Sequence, residues 1–157
     1  MSQHNQGSYM PDSCHMQIAQ DKPAENATLA ISLQSIPGQA NNLVWACHKL
    51  SRDAGWWTDP DTGEAIDPNP TFPTKLCLIH SEISEAMEGH RKGLKDDHLP
   101  HRDMAEVELA DAVIRICDLA GAMGYDLGTA ITEKLAYNQR RADHKLTNRA
   151  SSNGKKY

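Results

Sequence analysis

Large aromatic side chains and long hydrophobic runs are both scarce in this 157-residue sequence. Aromatic residues make up 5% of it, with a single Phe, three Trp and four Tyr. No apolar run approaches the roughly 20 residues that a membrane-spanning helix needs. The amino terminus has no basic segment followed by an apolar one, which is the pattern of a secretory signal peptide. We therefore expect a single domain that is located in the cytoplasm and has no membrane partner.

Closely spaced cysteines are also missing. The four cysteines, Cys14, Cys47, Cys77 and Cys117, are about 30 to 40 residues apart and form no CxxC pair. Cysteines scattered in this way in an intracellular chain are typical of reduced thiols in the core. The eight histidines form neither an HExxH motif nor a Cys/His zinc spacing. These patterns predict neither a disulfide framework nor a zinc site.

Positive charge is in deficit overall and is concentrated at one end. The chain has 16 Lys and Arg against 21 Asp and Glu, which gives a formal charge of -5 and excludes a generally basic nucleic-acid-binding protein. Residues 74–125 hold ten acidic and six basic side chains, whereas residues 126–157 hold three acidic and seven basic ones. This distribution is expected of a protein that binds both a cation and an anion. Solvated helix faces also produce it.

Strand patterns are almost absent, and the apolar residues recur at helical spacing, which predicts an all-α fold. We expect a polar arm over residues 1–36, a helical domain over residues 37–146 and a loose tail over residues 147–157. Pro37-Gly38 is expected to end the weakly apolar stretch that precedes it.

Four helices are predicted, with glycines or an aspartate at their ends. Their expected ranges are 39–54, 74–92, 102–122 and 126–144. Asp126 is the expected cap of the fourth helix. Residues 56–73 contain four prolines and are predicted not to be helical. The third helix has an apolar face that covers nearly half its circumference, which predicts burial against several partners, including another subunit.

Two pairs of carboxylates mark the second and third predicted helices. The spacing of Glu82 and Glu85, and that of Glu108 and Asp111, places both members of a pair on one side of a helix, at the margin of the apolar face. If the two helices are antiparallel neighbours, the four side chains converge. A hard divalent cation would relieve their repulsion, and Mg²⁺ or Mn²⁺ suits oxygen ligands best. Exposed acidic residues on a soluble helical bundle give the same pattern.

A ferritin-like di-iron bundle is a competing interpretation, because it also has carboxylate ligands inside helices. That site requires Glu-x-x-His on two helices. No Glu of this sequence is followed by His three residues later. The pattern therefore disfavours a di-iron centre.

A polar strip on the fourth predicted helix is a candidate for substrate binding. Lys134, Asn138 and Arg141 fall within about 60° of one another on the helical wheel, where Lys and Arg can neutralise phosphates and Asn can bind a sugar or base. Basic residues near the end of a helix also simply complement its dipole. Trp56 and Trp57 open the proline-rich loop, where an aromatic ring can stack on a nucleobase or cover the core.

Three segments resemble the MazG-type nucleoside triphosphate pyrophosphohydrolases, whose signature is EExxE followed by ExxD. The segments are KLCLIHSEISEAMEG at 75–89, VELADAVIRI at 107–116 and KLAYNQRRADH at 134–144. The last of them resembles the KxxxNxxR ending of the family. The resemblance spans roughly residues 39–146, and Ser81 stands where the family has the first Glu of EExxE.

The resemblance implies an all-α, Mg²⁺-dependent enzyme that splits a nucleoside triphosphate into a monophosphate and pyrophosphate. By motif, its metal ligands would be Glu82, Glu85, Glu108 and Asp111. Glu85 or Glu88 would accept a proton from water. The substrate would be bound by Lys134, Asn138, Arg141 and Trp57.

Several other functions are compatible with the same sequence pattern. A dUTP- or dCTP-specific hydrolase, phosphoribosyl-ATP pyrophosphohydrolase and a non-enzymatic helical interaction module all remain compatible with the sequence. Members of the family are dimers or tetramers with sites near the interface. The expected partners are thus a nucleotide and further copies of this chain.

Overall fold

The fold is that of a computed structural model, which describes residues 23–155 and gives side chains from residue 33 onward. It confirms the predicted all-α class, because the described residues contain helices and two isolated β-bridges but no strand. The helices are α1 (Pro23–Asp53), α2 (Pro68–Lys92), α3 (Met104–Ala122), α4 (Leu127–Arg140) and the short α5 (Leu146–Arg149), with a 3₁₀ turn at Ala142–His144 between the last two.

The helices pack in an order that differs from their order along the chain. α2 packs against α3, α3 also packs against α1, and α1 packs against α4. The acidic helices α2 and α3 are therefore direct neighbours. The helix that carries the basic strip, α4, packs mainly against α1.

Capping residues explain several of the observed helix ends. The carboxylate of Asp67 accepts a hydrogen bond from the backbone N–H of Asn69 at the start of α2 (2.9 Å), and Asp126 accepts one from Thr129 at the start of α4 (3.1 Å). Gly93 follows α2 with a φ of 63°, a left-handed conformation that glycine adopts without strain. The predicted roles of Gly93 as a stop and Asp126 as a cap are confirmed.

The predicted helix boundary at Pro37-Gly38 is wrong, because α1 runs through both residues. A proline inside a helix removes one backbone hydrogen bond. α4 packs beside this turn: the side chain of Asn41 accepts a hydrogen bond from Gly128 N (2.8 Å) and donates one to Asp126 (2.7 Å). Residues 1–22 of the predicted arm lie outside the described residues.

Two further boundaries also differ from the prediction. Residues 68–73 are helical, since Pro68 occupies the first turn of α2, where a missing N–H costs little. α4 ends at Arg140 and not at His144, because Arg141 has an extended backbone conformation. The non-helical connection between α1 and α2 is thus limited to residues 54–67.

The core of the described chain is small. A cluster of Val44, Cys47, Cys117 and Ala120, with Leu127 packed against it, joins α1, α3 and the start of α4. Many large apolar side chains elsewhere are exposed, including four on α3: Leu109, Val113, Ile114 and Ile116. None of the helices within residues 23–155 combines the length and the apolar character that a membrane span requires.

Candidate active site

Three carboxylates from α2 and α3 meet where these helices pack. Each of Glu82, Glu108 and Asp111 offers a carboxylate oxygen, and the three oxygens lie within 4.8 Å of one another. Glu82 and Glu108 are buried and Asp111 is half-buried. The convergence expected from the i, i+3 spacing on adjacent helices is therefore present for three of the four predicted residues.

The surroundings of the cluster disfavour the ionised forms of Glu108 and Asp111. Burial, reinforced by Glu82, Glu85 and Asp111, raises the pKa of Glu108 to about 7. Burial and the charge of Glu82 also raise the pKa of Asp111. Closely spaced, desolvated carboxylates of this kind are characteristic of functional sites.

One guanidinium compensates part of this negative charge. Arg115 Nε lies 2.7 Å from Oε1 of Glu82, and the positive charge of Arg115 also acts to lower the pKa of Asp111. The Arg115 side chain is 43% exposed. The guanidinium is therefore partly in contact with solvent.

The residues present fit a divalent cation of the magnesium type. All three groups supply hard carboxylate oxygens, which are the ligands that Mg²⁺ and Mn²⁺ prefer, and the cluster contains no histidine or thiolate that would favour a softer metal. Burial first, and the neighbouring carboxylates second, raise the pKa of Glu108, and a cation bound here would favour its ionised form.

Glu85 and Glu88 lie outside this cluster. Glu85 is exposed, and its charge still contributes to raising the pKa of Glu108, so it lies close to the site. The carboxylate of Glu88 is bound by Lys92 and Arg91, whose hydrogen bonds lower its pKa. Of these two carboxylates, only Glu85 acts electrostatically on the cluster.

The loop between α2 and α3 closes against one side of the cluster. The buried Asp96 accepts hydrogen bonds from the backbone N–H groups of His98 (3.0 Å) and Leu99 (2.6 Å). The charge of Asp96 raises the pKa of Asp111, and His98 lowers it. The position of Asp96 beside the cluster was not predicted, because an acidic residue in a polar loop looks the same in the sequence as an ordinary turn residue.

A pocket of about 490 Å³ extends from the cluster toward α1. Asp111, Arg115 and Asp118 of α3 line it, together with residues of α1 and α2 that include Lys75 and Cys47. Its size is typical of small-molecule sites. A larger cavity of about 720 Å³ lies on another face of α1, lined by Trp45 and Tyr125 among others, and it includes none of the three carboxylates.

Asp118 is the centre of a buried network that we did not predict. Its Oδ1 accepts a hydrogen bond from Trp57 Nε1 (2.7 Å) and lies 2.9 Å from His48 Nδ1. Lys75 Nζ lies 3.9 Å from Oδ2 and 4.3 Å from the centre of the Trp57 ring. The seven-residue spacing of Asp111 and Asp118, which is two helical turns, was a sequence signal that both residues share a face of α3.

This network also determines what the tryptophans can contact. Trp57, predicted to bind substrate, is only 6% exposed, and its N–H is already used by Asp118. Trp56 is 71% exposed and lines the same pocket as Asp111. Of the two alternatives for these residues, Trp57 is part of the core and Trp56 is the ring that a ligand in the pocket would meet.

The predicted basic strip is present on α4 and at its end. Lys134 and Arg141 both lie over the ring of Tyr137, and Arg141 is also paired with Asp143. Oδ1 of Asn138 is buried without a hydrogen-bond partner. Because α4 packs on α1, the main helix contacts of one chain do not bring this strip against the acidic pair of helices.

Comparison of the chain with protein-family models, with curated proteins and with solved structures gave no match. The functional interpretation therefore depends on the residues of the site themselves.

Proposed function

We propose that the protein is a Mg²⁺-dependent nucleoside triphosphate pyrophosphohydrolase, which converts a ribo- or deoxyribonucleoside triphosphate to a monophosphate and pyrophosphate. The observation that carries the proposal is the meeting of Glu82, Glu108 and Asp111 at the helix interface, beside a pocket of nucleotide size. Such an activity would serve the sanitation or the supply of the nucleotide pool.

In this proposal the three clustered carboxylates hold Mg²⁺, for which Mn²⁺ can substitute. When bound, the ion screens the charge of the triphosphate and favours deprotonation of the attacking water. Glu85 accepts the proton of that water, because it is exposed beside the cluster, whereas Glu88 is engaged by two basic side chains. The water oxygen forms a bond to the α-phosphorus, the bond to the bridging oxygen breaks, and pyrophosphate leaves.

Positive side chains would hold the phosphates against an otherwise acidic surface. Arg115 is partly exposed beside the cluster, and it would exchange its partner Glu82 for a phosphate oxygen once a cation has neutralised that carboxylate. Lys134, Asn138 and Arg141 provide further donors. Oδ1 of Asn138 is buried without a hydrogen-bond partner, as expected if a ligand or a second copy of the chain supplies the missing donor.

The working unit in this proposal is a homodimer or homotetramer. The apolar residues of α3 that a single chain leaves exposed would be covered by another copy. A partner copy can also place its α4 near the acidic helices, which α4 of the same chain does not pack against. The proposed site is therefore shared between copies.

The experiment that tests the proposal measures pyrophosphate release from a panel of ribo- and deoxynucleoside triphosphates, with Mg²⁺ and with a chelator. Glu82→Gln and Asp111→Asn should abolish turnover while the helical circular-dichroism spectrum is retained. Glu106→Gln is the matched control, because Glu106 is an exposed acid on α3 outside the cluster. Full activity in either ligand variant would refute the metal assignment.

A further inference from the structure

We infer that Asp118 and Lys75 recognise the hydrogen-bonding edge of the substrate's nucleobase. This inference rests on the proposed function, since it assumes that the phosphates lie at the carboxylate cluster. It assigns a ligand role to a network that neither the metal site nor the hydrolysis uses.

The position of Asp118 along α3 suits this role. Asp118 follows Asp111 by seven residues, which is about 10 Å along the helix and returns to nearly the same face. Both residues line the same pocket of about 490 Å³. A nucleotide whose phosphates are held near Asp111 has its base displaced from them by the sugar, and the pocket leads from Asp111 to Asp118.

The two oxygens of Asp118 have different surroundings. Oδ1 is occupied by the N–H of Trp57 and by His48. Oδ2 has Lys75 Nζ at 3.9 Å, which is too long for a hydrogen bond, and none of the described residues donates a hydrogen bond to it. Asp118 is 7% exposed as a residue, but Oδ2 is not among the described polar atoms that are fully buried without a partner. Oδ2 is therefore accessible from the pocket, where a ligand N–H can donate to it.

Lys75 is held beside this free acceptor. Its ammonium lies over the Trp57 ring at 4.3 Å, and its side chain is only 22% exposed. Lys75 can only donate and Asp118 can only accept. Side by side, they match a neutral edge that has a donor next to an acceptor, which is the arrangement on the pairing edge of a nucleobase. A phosphate fits poorly here, because the carboxylate would repel it.

Asp118→Asn provides the test. The amide oxygen can still accept from Trp57, while the amide nitrogen replaces Oδ2, so the free acceptor becomes a donor. With Mg²⁺ present, we expect the KM for nucleoside triphosphates to rise about tenfold, which corresponds to one lost hydrogen bond. Inhibition by inorganic tripolyphosphate, which has no base, should be unchanged. An unchanged KM, or an equal loss of tripolyphosphate inhibition, would overturn the inference.

A second variant and a binding measurement keep the inference testable if Asp118→Asn does not fold or the wild type does not turn over. Lys75→Met retains the length of the side chain but removes the donor. Like Asp118→Asn, it should raise the KM for nucleoside triphosphates and leave inhibition by tripolyphosphate unchanged. Binding of nucleoside monophosphates is measured by tryptophan fluorescence without metal. If the wild type turns over and neither variant changes the KM, the base contact is refuted and the proposed function is not. Absence of both turnover and monophosphate binding in the wild type overturns the proposed function and the base contact together.

Discussion

Arg115 on α3 places its Nε 2.7 Å from Oε1 of Glu82 on α2, so that a guanidinium binds one of the three carboxylates of the candidate metal site. At this contact the Glu82 side chain is buried and the Arg115 side chain is partly exposed. Arg115 therefore neutralises part of the charge of Glu82, and it would compete with a metal ion for the same carboxylate.

Arg115→Gln should change metal binding and stability in opposite directions. Removing the guanidinium leaves the buried Glu82 without its cationic partner, so the melting temperature of the metal-free protein should fall by several degrees. It also removes a positive charge that repels the incoming ion, so Mg²⁺ should bind several-fold more tightly in calorimetric titration. Arg102→Gln, which breaks the exposed pair with Glu106, is the control and should change neither property much. Weaker Mg²⁺ binding by Arg115→Gln would contradict this account.

The pKa of Glu108 predicts an unusual pH dependence for the metal-free protein. Because burial and neighbouring acids raise this pKa from 4.5 to about 7, the folded state binds more protons than the unfolded state between these values. The free energy of unfolding should therefore decrease as the pH rises from about 4.5 to about 7, by at most about 3 kcal/mol from Glu108. Asp111, whose pKa is also raised, acts in the same direction.

This pH dependence is measured by urea unfolding at pH 5 and pH 8 in the presence of a chelator. Glu108→Gln should show a smaller decrease than the wild type, because it cannot ionise. Saturating Mg²⁺ should also reduce the decrease in the wild type by binding the ionised form. An equal decrease in the variant and the wild type would show that Glu108 does not titrate in this way.

A shared site between copies can be tested by mixing two damaged variants. Asp111→Asn removes a metal ligand, and Lys134→Ala removes a phosphate donor on α4 and should mainly raise KM. If α4 of one copy serves the carboxylates of another, mixed oligomers contain one site with neither change. Activity of the exchanged mixture at low substrate concentration should then exceed that of both variants assayed separately. Simple averaging of the two activities after subunit exchange would indicate that each site is built from one chain.

The path of α1 past Pro37 is tested by a pair of glycine substitutions. A methyl group added at Gly128 would lie 2.8 Å from the Cα of Pro37, so Gly128→Ala should force α4 away from α1 and destabilise the protein by about 1–3 kcal/mol. Gly38 is helical and has open space around it, so Gly38→Ala should be neutral or stabilising by up to about 1 kcal/mol. Thermal unfolding measures both. Equal stability of the two variants would contradict the close approach of Gly128 to Pro37.

Helix periodicity and capping residues were sufficient to predict the all-α class and the ends of the helices at Gly93 and Asp126. The prolines led to the wrong boundaries, because local propensity does not reveal tertiary compensation. Pro37 is tolerated by packing with α4, and Pro68 by its place in the first turn of α2. Contacts of this kind join residues that are distant in the chain.

In the candidate site, too, local helix geometry was predictable from the sequence and contacts between distant segments were not. The i, i+3 spacing predicted the convergence of Glu82, Glu108 and Asp111, since helix geometry fixes the relative direction of such side chains. It did not predict that Glu85 lies outside the cluster, or that Arg115 pairs with Glu82, because these depend on how α2 and α3 are rotated against each other. The burial of Trp57 and the network around Asp118 likewise depend on contacts between four separate segments.

The most direct test of the central claim is phosphorus NMR of a nucleoside triphosphate incubated with the protein and Mg²⁺. If the bond between the α- and β-phosphates is cleaved, the triphosphate signals will be replaced by those of a monophosphate and pyrophosphate. A chelator should prevent this change, and Asp111→Asn should leave the triphosphate signals unchanged. Persistence of the triphosphate across the nucleotide panel with Mg²⁺ or Mn²⁺ present, or the appearance of a diphosphate with orthophosphate, would contradict the account.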